Sequence, residues 1–129
     1  SLCSEINNSE IRNPCFDGIA KNSNNASACE GISKISVLSE CMAVVGKSLN
    51  NISICKEIPR AEERDSCILK VAVQIKDFRS CDFIVDNRFE GSCFQKIAVA
   101  TSNISLCSRI RIDLMQESCW NQLNNTLAS

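Results

Sequence analysis

Ten cysteines recur along this 129-residue chain at separations that alternate strictly between 12 and 14: Cys3, Cys15, Cys29, Cys41, Cys55, Cys67, Cys81, Cys93, Cys107 and Cys119. The alternation defines a period of 26 and five tandem units, 1–26, 27–52, 53–78, 79–104 and 105–129, with starts near Ser1, Ser27, Ser53, Arg79 and Ser105. A period of this size fixes the architecture, because each unit is one supersecondary element that buries its apolar face only against its neighbours. The expectation is a single solenoid domain over 1–129.

Other columns hold the same register. Isoleucine stands three residues after every first cysteine: Ile6, Ile32, Ile58, Ile84 and Ile110. A large apolar residue follows every second cysteine (Phe16, Met42, Ile68, Phe94, Trp120), and a branched aliphatic one comes three residues later (Ile19, Val45, Val71, Ile97, Leu123). Beside the latter stand Ala20, Gly46, Ala72, Ala98 and Asn124.

In the third unit Cys67, Ile68, Val71, Ala72 and Ile75 share one face of an amphipathic helix, a spacing unlike strand alternation even where Val71–Val73 and Ala43–Val45 look strand-like locally. Pro59 suits the first turn of that helix, and Glu62, Glu63 and Asp65 suit its positive end. A shorter helix fills the first half of each unit. Serine marks its start in four units, and Ser27 with Glu30 reads as a capping box. The fold class expected is all-α: an α-solenoid of five 26-residue helical hairpins, each stapled by a disulfide. With four glycines and no L-x-x-L-x-L pattern, a β-solenoid or leucine-rich repeat is the weaker alternative.

Periodicity leaves two families of cysteine pairing. One joins each cysteine to its partner 12 residues on, Cys3–Cys15 through Cys107–Cys119; the other joins Cys15 to Cys29 and so on, stranding Cys3 and Cys119. The first is preferred because it satisfies every thiol and ties each helix to its own partner, contributing about 3 kcal/mol per loop in the chain-entropy model. Zinc ligands normally stand two to four residues apart, which this spacing lacks, so no metal is expected. Persistent disulfides imply an oxidising compartment, extracellular or cell-surface. Without an initiator Met or an 18-residue apolar run, the chain reads as a mature secreted product or an ectodomain, with no membrane insertion of its own.

Composition removes several function classes. The absence of histidine excludes Ser-His-Asp and Cys-His catalysis and His-ligated metals or haem. A net charge of −1 supports no nucleic-acid footprint. No Gly-rich phosphate loop occurs. The run Glu62–Glu63–Arg64–Asp65 reads as a solvated face and helix start rather than an acid–base pair, and Trp120, in the core column, reads as packing. No enzyme activity and no cofactor are expected.

The chain resembles the cysteine-paired helical-hairpin repeats of predicted exported archaeal and bacterial proteins. The likeness rests on the cysteine pair, on Ile three residues after the first cysteine, on Arg64-Asp65 and Arg12-Asn13 before the second, and on the Ile/Val-Ala step after it. It covers all five units and is a more distant analogue of disulfide-linked Sel1-like solenoids. It implies an α-solenoid outside the cytoplasm and no agreed activity. Pro14, Asp17 and Gly18 depart from it by weakening the first long helix, and Asn124 departs from it in the last unit.

Sequons for N-glycosylation stand at Asn7, Asn25, Asn51, Asn103 and Asn124. Asn25, Asn51 and Asn103 share one column in the turn before the short helix, with Asp77 in the fourth boundary. Asn and Asp there are also turn and cap residues, so the column reads equally as glycan sites or as capping copied by duplication. Asn124 is the poorest acceptor because it falls where packing is expected. The functional expectation is a structural repeat protein that self-associates head to tail as a homopolymer, since 129 residues nearly fill five periods. The alternative is a discrete module binding an extracellular protein or glycan. The polar stretch Asn121–Thr126, which resembles a solenoid cap, argues for that alternative.

Overall fold

The computed structural model describes residues 2–128, with side chains described to residue 125. Every regular element among the described residues is helical. Each repeat contributes a short and a long helix. The long ones are α1 (Ser9–Ser23), α3 (Ile35–Ser48), α5 (Ala61–Ile75), α6 (Asn87–Thr101) and α7 (Asp113–Ala128). The short ones are α2 (Ala26–Cys29), α4 (Ile52–Lys56) and the 3-10 turns Leu2–Glu5, Phe78–Phe83 and Ile104–Arg109. The locally strand-like Val71–Val73 lies inside α5.

Five disulfides join Cys3–Cys15, Cys29–Cys41, Cys55–Cys67, Cys81–Cys93 and Cys107–Cys119, each within one repeat. No described cysteine is free. Each bond ties a short helix to the long helix that follows, with Cα atoms 5.4–5.9 Å apart. The chain divides into two compact units, Ser1–Cys67 and Ile68–Ser129. In the first, α1 packs on α2 and α3, and α3 on α2 and α4. In the second, α6 packs on α7 and on both 3-10 turns, and α7 packs on the second of those turns.

A repeated chain reversal joins the repeats. Asn24, Asn50, Lys76 and Ser102 all adopt left-handed backbone, φ 50° to 58°. The next residue then donates its N–H back to a carbonyl in the final turn: Asn25 to Ala20, Asn51 to Gly46, Asp77 to Ala72 and Asn103 to Ala98, at 2.9–3.0 Å. This is the Schellman closure of a helix. The same residue caps the following helix. Asn25 Oδ1 accepts from Ser27 N, Asn51 Oδ1 from Ile54 N, Asp77 Oδ1 from Arg79 N and Asn103 Oδ1 from Ser105 N. One residue thus closes one helix through its backbone N–H and opens the next through its side-chain oxygen, and that second role is why the column holds only Asn and Asp.

Several local expectations are corrected. Ser27 and Glu30 form no capping box: Asn25 is the cap, and Glu30 follows the end of α2. Pro59 lies ahead of α5 rather than in its first turn. Pro14, Asp17 and Gly18 do not break α1, which runs to Ser23. The helix continues through Pro14 with the adjacent Cys15 anchored to Cys3 and an Asp17–Lys21 ion pair at 2.9 Å further along. Asp65 is buried rather than solvated.

Candidate interaction faces

Contacts within each unit define which side of a repeat meets its successor. In the first unit, Asn13 Oδ1 accepts from Ser33 N at 3.1 Å, and Ser39 Oγ accepts from Arg60 N at 3.3 Å. Lys21 reaches forward to Glu40 at 3.1 Å. The Phe16 ring covers Gly31 so closely that a Cβ there would lie 2.5 Å from it. In the second unit, Phe94 lies under the Arg109 guanidinium at 5.1 Å, and Arg109 also pairs with Asp82 at 3.1 Å. Gln95 donates to Gln122 at 3.0 Å, and Gly91 abuts Met115 and Ile110. Residues 13, 16 and 20 and their equivalents therefore face forward. The Ile6 column and the residue-11 column, to which Ile110 and Met115 belong, face backward.

The Ile19 column also faces backward, and its exposure shows where neighbours end. Val45, Val71 and Ile97 are 0% exposed and Leu123 1%, yet Ile19 is 44% exposed. Leu2 and Ile11 are exposed in the same repeat. At the opposite end the forward column behaves likewise: Ile68 and Phe94 are buried, whereas Trp120 is 38% exposed. This corrects the reading of Trp120 as core. Its column is core only where a following repeat covers it. Asn124 is exposed for the same reason, which corrects the expectation that it packs.

Of the other sequons, Asn7, Asn25 and Asn103 are exposed and Asn51 is half-buried. Capping at residues 25, 51 and 103 engages Oδ1 and leaves Nδ2, the atom a glycan takes, outside the bonds just described.

Among the described residues, no group of three or more His, Cys, Asp or Glu side chains is placed to hold a metal ion, and no helix is long and apolar enough to cross a membrane. Two surface grooves are lined with mixed polar and aliphatic residues: Val73, Ser92, Lys96, Val99 and Gln122 in one, Glu40, Ala43, Val44, Lys47 and Glu63 in the other. No protein family, curated protein or solved structure matches the chain. What the structure shows of the resemblance to exported hairpin repeats is the helical repeat units and their regularly spaced disulfides.

One buried carboxylate gives a measurable handle on the second unit. Glu90 is 5% exposed, and its Oε1 lies 3.1 Å from Arg111 Nε without hydrogen-bond alignment. Burial raises its pKa above the ordinary 4.5; Asp82 adds to this, and Arg111 and Arg109 offset only part of it. A carboxyl whose folded pKa is raised binds protons more readily in the folded state. Stability from this group therefore increases as pH falls through its folded pKa, and ionised Glu90 is a net cost at neutral pH. Glu90→Gln keeps the shape and removes the charge, so the urea midpoint should rise at neutral pH and its acidic limb should flatten. A lower midpoint at neutral pH would show that the Arg111 pair outweighs burial.

Proposed function

We propose that this chain is a non-enzymatic extracellular structural repeat protein whose copies stack end to end. Five disulfides support an oxidising compartment. The carrying observation is the half-exposed Ile19 in a column that is otherwise 0–1% exposed. A forward face bearing Trp120 on one copy continues the register onto the backward face bearing Ile19, Ile11 and Leu2 on the next. Such a contact is heterologous, and where the rotation between copies closes no ring it extends into a filament. The partner is a second copy, because the two faces are matching halves of one repeat junction.

Sedimentation of protein made without glycans in a bacterial periplasm tests this. Self-association that grows with concentration is expected, with fibres by microscopy. Ile19→Asp should weaken it by roughly tenfold or more, since one partly buried aliphatic contact is lost and a charge gained. A sharp monomer at every concentration supports the second reading, a discrete binding module. One observation favours that reading: the forward column of Ala and Gly ends in the polar Asn124.

A further inference from the structure

Residues 20, 46, 72, 98 and 124 occupy one register position, five residues past each second cysteine. Ala20, Ala72 and Ala98 are 0% exposed, and Gly46 is buried. At Gly46 an added Cβ would stand 3.2 Å from Cys67 Sγ and Ile54 Cγ2 and 3.3 Å from Cys55 Sγ. The position lies against the disulfide of the following repeat, and the space there accepts a methyl group and little more. In a stack, the Cys3–Cys15 bond of a second copy would meet Asn124. Asn124 extends a carboxamide past Cβ, is exposed, and heads the sequon Asn124-Asn125-Thr126.

We propose that Asn124 gates the end-to-end contact. Carrying an N-linked glycan, it closes the last repeat; bare, it leaves the contact open but overpacked. The inference rests on the stacking reading and adds its regulation. In the modification, Nδ2 attacks C1 of a lipid-pyrophosphate-linked oligosaccharide. The N–C1 bond forms, the C1–O bond to pyrophosphate breaks, the lipid pyrophosphate leaves with the electron pair, and the amide proton passes to the transferase's base. A sugar on Nδ2 and a following disulfide require the same space, so glycan and stacking are mutually exclusive at this residue. Asn25, Asn51 and Asn103 lie in the turns between helices at a different register position from Asn124, so their sugars are expected to leave the contact at Asn124 open.

The test compares three forms made in a eukaryotic secretory host, all carrying Asn7→Gln because that sequon adjoins the backward-facing Ile6: the otherwise unaltered chain, Thr126→Ala, which keeps a bare Asn124, and Asn124→Ala. Occupancy is read by glycopeptide mass spectrometry and association by sedimentation. The unaltered chain should be glycosylated at Asn124 and monomeric, Thr126→Ala should associate, and Asn124→Ala should associate about tenfold more tightly through relief of overpacking. Sugar at Asn124 within a stacked species overturns the gate. So does an empty Asn124 on molecules whose Asn25 and Asn103 are occupied, or an Asn124→Ala no tighter than Thr126→Ala. Wherever the bare forms still associate, stacking itself survives those outcomes. If all three forms remain monomers at every concentration, the stacking reading fails and the gate with it.

Discussion

Complete reduction and alkylation should remove the helical minima from the far-ultraviolet dichroism at room temperature. Each repeat offers a thin aliphatic layer: isoleucine, valine and alanine, with Phe94 the only buried aromatic among the described residues. Hairpins of this size bury too little apolar surface to offset their chain entropy unaided. Closing each 12-residue separation contributes about 3 kcal/mol in the chain-entropy model, comparable per bond to a sizeable fraction of a small domain's stability. Replacing Cys81 and Cys93 together by alanine should therefore lower unfolding free energy by about 3 kcal/mol while leaving four bridges in a non-reducing peptide map. A dichroism spectrum unchanged by full reduction would mean that the aliphatic core holds without its bridges.

Much of this fold was legible because duplication writes the same constraint five times. The 12/14 alternation and the isoleucine column gave hairpin, register and pairing preference together, since a contact repeated in every unit leaves a column. Features belonging to a single backbone conformation were harder to see. Asn24, Asn50, Lys76 and Ser102 share left-handed φ without a glycine among them, so the Schellman closure carried no sequence signature. The sequence offers two cap candidates at each boundary, the serine and the Asn two places earlier; Asn25, Asn51 and Asn103 are the caps that start the helices. Proline at position 14 looked like a helix breaker because propensity omits the disulfide one residue away. The interaction faces were legible only by half. Columns say which side chains lie at a junction; whether the junction is filled depends on a neighbour, which is why Trp120 passed for core and Asn124 for a packed position.

Ile97 and Ile19 isolate that neighbour. They are the same residue type at the same register position, one 0% and the other 44% exposed. Ile97→Ala should reduce stability by about 3–4 kcal/mol, the transfer term plus the cavity left in a fully packed site. Ile19→Ala removes the same atoms from a half-open surface, where no enclosed cavity forms, and should lower it by about 1 kcal/mol or less. Urea melts of dilute, unstacked protein give both numbers. Equal losses would place a covering group over Ile19 and remove the exposed backward face on which stacking depends. If the contrast holds, repeating the melts at concentrations where bare protein associates should widen the penalty for Ile19→Ala alone. A second copy then supplies the cover that Ile97 receives from its own chain, and binding to the folded state adds to stability by mass action.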